Sequence, residues 1–209
     1  DGDATATKEY PRATLLTIFR KVCDAMMFAH SKGILHRDLK PENIMVGEYG
    51  EVLVMDWGLA KVLGEREEQS SSVSRVNDTG DYGITMEGEV MGTPQYMSPE
   101  QAIGMVAELD ARSDIYSLGG ILYAILTLRP PIEGTTLDEV LTKVKNGSIS
   151  SMVTKRGGKG SMTVGAATAM GAEVPEALQA VTLKAMATDR NKRYGSVEAF
   201  AGDIERYQN

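Results

Sequence analysis

His36-Arg37-Asp38-Leu39-Lys40-Pro41-Glu42-Asn43 is the stretch whose reading decides this chain. Downstream of it come Asp56-Trp57-Gly58, then Gly92-Thr93-Pro94-Gln95-Tyr96-Met97-Ser98-Pro99-Glu100, then Ser113-Asp114-Ile115-Tyr116-Ser117-Leu118-Gly119, and finally Arg193. A lone Asp-x-Gly carries little information. Four motifs in fixed order, spread over about 160 residues, carry a great deal.

The elements around these motifs are mostly helical. Leu15, Ile18, Phe19, Val22, Met26 and Ala29 recur at helical spacing, which predicts an amphipathic helix over 12–31 with Gly33 just past its end. Ile44-Met45-Val46 and Val52-Leu53-Val54-Met55 are short β-rich runs joined by Gly47-Glu48-Tyr49-Gly50, a hairpin turn. Residues 113–128 are apolar on nearly all sides and predict a buried helix, ended by Arg129-Pro130-Pro131. Thr136-x-x-Glu139 makes a capping box ahead of Leu137, Val140, Leu141 and Val144. Pro175 opens a further helix with Glu176 in its first turn. The last helix begins near Ser196 and places Val197, Phe200, Ile204 and Tyr207 on one face. Between them, 148–171 turns to Gly, Ser, Thr, Ala and Met without a period, which reads as a mobile insert.

A chain of 209 residues, 42% hydrophobic and 24% charged, has the composition of a soluble globular domain large enough to bury a core. Its longest apolar run, Ile115–Leu128, is too short for a membrane span. Asp1–Thr7 offers neither a basic start nor an apolar h-region, so no signal peptide is visible. The single cysteine, Cys23, excludes an internal disulfide and points to a reducing cytoplasm. A net charge of −7 argues against nucleic acid as partner. Much of that charge sits between Gly64 and Glu89, where seven acids face only Arg66 and Arg75 in a serine-rich stretch with the composition of a flexible loop. His30, His36 and Cys23 lack the paired spacing of a zinc site.

The ordered motifs resemble those of protein kinases, and among these the eukaryotic-type serine/threonine kinases of bacteria. The resemblance runs through the chain from residue 36 to 193. It implies a mainly α fold like the kinase C-lobe: a helical bundle around a central buried helix, with a small β-hairpin at the active site. On this reading residues 1–209 form one C-lobe, with its catalytic loop at 36–43, its activation segment at 56–100 and a mobile insert at about 148–173. The 35 residues ahead of the catalytic loop contain no glycine-rich phosphate loop and no Val-Ala-x-Lys strand, so the N-lobe is expected to be missing.

Phosphoryl transfer asks a protein for an aligned hydroxyl, metal ions and positive charge where negative charge develops. By resemblance, Asp38 accepts or orients the substrate hydroxyl's proton and Lys40 reaches the γ-phosphate of ATP; a lysine at this place resembles serine/threonine rather than tyrosine kinases. Asn43 and Asp56 are the implied ligands of Mg²⁺, a cation that prefers oxygen. Met45 lies at the family's position beneath the adenine ring, and Trp57 replaces the usual phenylalanine of Asp-Phe-Gly. Thr93 is implied in substrate positioning, hydrogen-bonded towards Asp38 and Lys40. Glu100 and Arg193 correspond to the family's buried ion pair, Asp114 to the acceptor of catalytic-loop N–H groups, and His36 to a packing residue. Arg37 is the family's grip for a phosphorylated residue of the activation segment, here Thr85, eight residues before Thr93.

The leading reading is thus a serine/threonine kinase acting on protein substrates, with this piece inactive alone. The alternative from another class is a pseudokinase-like binding module, against which the retained Asp38, Lys40, Asn43 and Asp56 weigh. Without an upper lobe, the cleft is expected to expose Met45 and Trp57 and to invite self-association. A membrane tether elsewhere in a longer parent chain stays open.

Overall fold

Helix α3 (Ala111–Thr127) is the element around which the others pack, and its sequence explains why. Ile115, Tyr116, Leu118, Ile121, Leu122, Tyr123 and Leu126 are all buried, and buried Ser117 and Gly120 extend the covered surface round the rest of the helix. Asp110 caps its start by accepting the N–H of Arg112 at 2.8 Å. It stops at Leu128, which takes a left-handed conformation at φ 56°, one residue earlier than the predicted end. Gly119 is required by packing: a Cβ there would sit 2.7 Å from Met186 Cγ and 2.9 Å from Ala185 Cβ, so the end of the helix Glu176–Ala185 can approach α3 only across a glycine.

The computed structural model describes residues 11–62, 94–152 and 174–209. The acidic serine-rich stretch, Thr85, Thr93 and most of the Gly/Ser-rich insert lie outside the described residues.

Helix α1 (Arg12–Ser31) forms where its pattern predicts, with Gly33 in the left-handed region at φ 72° just past its end. Its buried face is turned slightly from the expected one. Leu16 and Cys23 are buried, whereas Leu15 and Ile18 are only half-buried. The face is set by the neighbours α1 packs against: α6 (Val197–Gln208), α3 and the hairpin. Phe19 of α1 meets Phe200 of α6 edge to face, ring centres 5.8 Å apart. On α6, Val197, Phe200 and Ile204 are buried as expected but Tyr207 is 37% exposed, because the helix runs past the end of the core. Helix α5 (Glu176–Ala185) packs against both α3 and α6.

The hairpin is β2 (Ile44–Val46) and β3 (Val52–Val54), antiparallel, with Ile44 opposite Val54, Met45 opposite Leu53 and Val46 opposite Val52. Gly50 at φ 81° closes its turn, donating to Gly47 O at 3.0 Å. A second antiparallel pair joins β1 (Ile34–Leu35) to β4 (Lys61–Val62) across the two sides of the hairpin.

A smaller core of Ala102, Ile132, Val140 and Val144 lies between the short helix α2 (Pro99–Ala102) and α4 (Leu137–Lys145). The Thr136 box is only half formed. Thr136 Oγ1 accepts from Glu139 N at 3.2 Å, but the Glu139 carboxylate reaches back to Thr135 N and Oγ1, both at 2.9 Å. Among the described residues, no helix is long and apolar enough to cross a membrane.

Candidate active site

The loop 36–43 runs between α1 and the hairpin, and its backbone is held from α3. Asp114, 1% exposed in the first turn of α3, accepts from His36 N at Oδ2 and from Arg37 N at Oδ1, both at 2.9 Å. His30 Nε2 from the last turn of α1 adds a third contact to Oδ2 at 2.8 Å. A buried carboxylate needs this many donors, because its unpaired form carries a large desolvation cost. Arg37 is thereby held at φ 68°, a region that non-glycine residues seldom occupy.

His36 is fully buried and serves as a spacer inside the loop. Its Nδ1 accepts from Asp38 N at 3.3 Å and its Nε2 lies 3.0 Å from Met55 O, a pattern satisfied by the neutral ring with its proton on Nε2. Trp57 packs on it with ring centres 4.6 Å apart.

Asp38, Lys40 and Asn43 form one polar cluster. Lys40 Nζ lies 2.8 Å from Asp38 Oδ2, and Asn43 Nδ2 donates to the same oxygen at 3.2 Å and to Asp38 O at 2.8 Å. Lys40 reaches back because Pro41 starts a tight turn, Pro41–Asn43, right after it. The Asp38 side chain keeps 27% of its surface open, so the carboxylate is oriented from behind and reachable from in front.

Asp56 is exposed, at φ 61°, and both chain neighbours tie it to the loop. Met55 N donates to Asn43 O at 2.9 Å, Met55 O faces His36, and the Trp57 ring packs tilted against His36. A hard divalent cation finds suitable donors here. The contacts of Asn43 fall on Nδ2, which leaves its carbonyl oxygen for the task, and Asp56 supplies an open carboxylate. Met45 is 49% exposed on the hairpin, with Leu53 opposite it at 54% and Trp57 nearby in sequence at 37%.

Behind the loop, Glu100 and Arg193 meet in a buried two-pronged pair at 2.7 and 2.8 Å. Burial pushes Glu100 up, but the bonds from Arg193 and Ser113 outweigh it and leave the carboxyl below its ordinary range. Arg193 further donates to Ala187 O and Arg112 O at 2.7 and 2.9 Å, fastening three stretches of chain together.

The roles of two residues of the assembly escaped the sequence reading, which weighed His30 only as a metal ligand and passed over Gln101. His30 carries the third bond to Asp114, and its place in the last turn of α1 suits a donor. Gln101 accepts from Ser98 N and Oγ and donates from Nε2 to Arg37 O at 2.7 Å. Ser98-x-x-Gln101 is a capping-box pattern that could have drawn notice to it. Asp38, Lys40 and Asn43 are brought together, Asp56 and Arg37 are tied to the same loop, and Met45 lies on the adjoining hairpin. Thr93 and Thr85 lie outside the described residues.

Comparison with known proteins agrees with this architecture. The family model described as the protein kinase domain matches residues 4–203. That match opens ahead of α1 and gives no support to confining the chain to one lobe. The serine/threonine-protein kinase PknD of Protochlamydia amoebophila is 43% identical over 194 residues, 92% of this chain and 18% of that protein. PknD of Chlamydia caviae is 38% identical over 197 residues, 93% of this chain and 19% of that protein. The chain therefore spans less than a fifth of the length of these relatives. A crystal structure of the Rad53 kinase domain and SCD2 in complex with AMPPNP superposes with a TM-score of 0.61 at 22% identity, over 93% of this chain and 59% of that one. At that identity the likeness speaks for the fold, which is mainly α and kinase-like. With one family model covering nearly all of it and relatives this similar, the chain belongs to the protein kinase domain family.

Proposed function

We propose that this protein transfers the γ-phosphate of ATP to serine and threonine hydroxyls of protein substrates. The observation that carries the reading is the cluster at Asp38: a carboxylate open in front, with an ammonium at 2.8 Å and an amide at 3.2 Å behind it. Asp38 orients the attacking hydroxyl and takes its proton as oxygen bonds to phosphorus and the bond from the γ-phosphorus to ADP breaks. Lys40, held beside Asp38, supplies positive charge as charge builds on the transferred group. Asn43 and Asp56 hold Mg²⁺, which when bound neutralises phosphate charge. Met45 offers an open apolar surface for the adenine ring.

Thr93 completes this assignment as the residue that positions the substrate beside Asp38 and Lys40. Arg37 is the regulatory cation and Thr85 its phosphorylated partner. Arg37 Nε already donates to Leu59 O at 2.5 Å at the front of the 56–100 segment, which supports a role in holding that segment. A phosphate on Thr85 would add about −1.5 to −2 charge and charge-assisted bonds to a cation so placed.

The 35 residues ahead of the catalytic loop contain no glycine-rich phosphate loop and no Val-Ala-x-Lys strand, which supports weak ATP·Mg²⁺ binding by the isolated chain. The test is transfer from γ-labelled ATP to peptides that differ only in Ser, Thr or Tyr, using the protein at its natural length and the isolated chain side by side. Labelling of the Ser and Thr peptides by the protein at its natural length supports the reading. Labelling of none, or of the Tyr peptide alone, overturns it.

A further inference from the structure

The peptide unit that precedes Asp38 is held at both ends, and unequally. Its N–H end, Asp38 N, has a long 3.3 Å bond to His36 Nδ1. Its C=O end, Arg37 O, has a short 2.7 Å bond from Gln101 Nε2. Because a peptide is planar and rigid, fixing the carbonyl fixes the plane and the line of the Asp38 N–Cα bond, leaving φ as the one backbone rotation that still turns the Asp38 side chain. Arg37 also sits at φ 68°, where nothing local favours the conformation and outside contacts must maintain it. Asp114 supplies one such contact from α3, on the Arg37 N–H. Gln101 supplies another from α2, on the Arg37 carbonyl.

The orientation of the Gln101 amide is set by its surroundings. Its oxygen accepts from Ser98 N at 3.2 Å and from Ser98 Oγ at 2.9 Å, so the nitrogen end must face Arg37. The residue is 7% exposed, and water has little room to replace its amide. Ser98–Ala102 is also the turn at which the 56–100 segment ends. One amide thus connects the anchor of that segment to the backbone beside Asp38.

We propose that Gln101 is a positioning residue for Asp38, holding the Arg37–Asp38 peptide in the plane that aims the carboxylate, and that it couples seating of the Ser98–Ala102 turn to that aim. The consequence for rate rests on the phosphoryl-transfer reading above; the consequence for the loop does not.

Three variants separate this role from simple helix capping. Gln101→Glu keeps an acceptor for Ser98 but loses the donor to Arg37 O. Gln101→Met has a similar volume and loses both. Ser98→Ala weakens the cap and leaves the Arg37 bond in place. Steady-state kinetics on the protein at natural length are paired with hydrogen exchange over residues 34–43 of the same variants. Both Gln101 variants are expected to lower kcat by about 10- to 100-fold with KM for peptide and ATP within about twofold, as misaimed catalytic groups do. Exchange over 34–43 is expected to rise by about tenfold in both and by less than about threefold in Ser98→Ala. A Gln101→Glu enzyme with wild-type kcat, a change confined to KM, or exchange no faster than in Ser98→Ala would each overturn the proposal. If the unaltered protein transfers no phosphate, the kinase reading falls and the exchange comparison alone decides whether Gln101 holds the loop.

Discussion

Asp114 Oδ1 accepts the backbone N–H of Arg37 at 2.9 Å, across 77 positions of sequence, while Oδ2 takes His36 N and His30 Nε2. Removal of this carboxylate strands buried donors on two elements at once. Asp114→Ala is expected to cost about 1–3 kcal/mol for each donor left without a partner, summing less than additively. Urea unfolding measures it. A loss below about 1 kcal/mol in total would mean that water or a neighbour replaces the carboxylate.

The Glu100–Arg193 pair makes a second stability prediction, with a pH signature. Arg193→Met alone is expected to destabilise by about 3–5 kcal/mol, since it leaves a buried carboxylate unpaired. Glu100→Gln combined with Arg193→Met should recover part of that loss. Arg193 and Ser113 hold the Glu100 carboxyl below its ordinary range against the upward push of burial. Its contribution is therefore fully present above the unfolded glutamate value of about 4.3 and fades as pH falls through the lower folded value. Denaturant midpoints of wild type and Glu100→Gln from pH 7 down to pH 3 should show a gap that narrows only in the acid range. A gap that widens on acidification contradicts the sign.

Much of this arrangement could be read from the sequence, and the exceptions share a cause. Helix α1 and the 44–54 hairpin announce themselves because their periods and turn residues are local. Which residues of α1 are buried is decided by partners far along the chain, so the expected face missed Leu16 and Cys23. Glu139 forms bonds to Thr135 where a full box would return to Thr136, a choice between adjacent N–H groups that spacing cannot resolve. The β1–β4 pair has two residues per strand and no pattern to detect. At the site, the motif residues were legible as a family pattern, and the structure adds the contacts that connect them. Gln101 was passed over and His30 was weighed only as a metal ligand, because their importance lies in bonds made 64 and 84 positions away.

Tyr116 offers a prediction of opposite sign. Its hydroxyl is buried with no hydrogen-bond partner among the described residues, and burial pushes the phenol well above its ordinary range. Tyr116→Phe removes an unsatisfied group and keeps the ring that packs 4.9 Å from the Arg193 guanidinium. Thermal unfolding should show no loss and a gain of up to about 1 kcal/mol. A loss above about 1 kcal/mol would reveal an ordered water or another partner for the hydroxyl.

Met45 and Leu53, opposite one another on the hairpin, are 49% and 54% exposed, and Trp57, whose Nε1 donates to Val54 O of the same hairpin, is 37% exposed. A surface of this kind is expected to drive self-association of the isolated 209-residue chain. Sedimentation velocity over a concentration series should show dimers or larger species, and Met45→Ser with Leu53→Ser should shift them to monomer. A wild-type chain that stays monomeric at high concentration contradicts this.

The most direct test of the account is Asp38→Asn in the protein at its natural length, comparing single-turnover phosphoryl transfer with ATP affinity. Asparagine keeps the shape and can still meet Asn43, but it cannot take a proton. Transfer should fall by about 10²- to 10⁴-fold, the usual span for a lost general base, with nucleotide affinity within about threefold of wild type. A variant that transfers phosphate at the wild-type rate would contradict the assignment of Asp38, and with it the reading of the 36–43 loop as catalytic machinery.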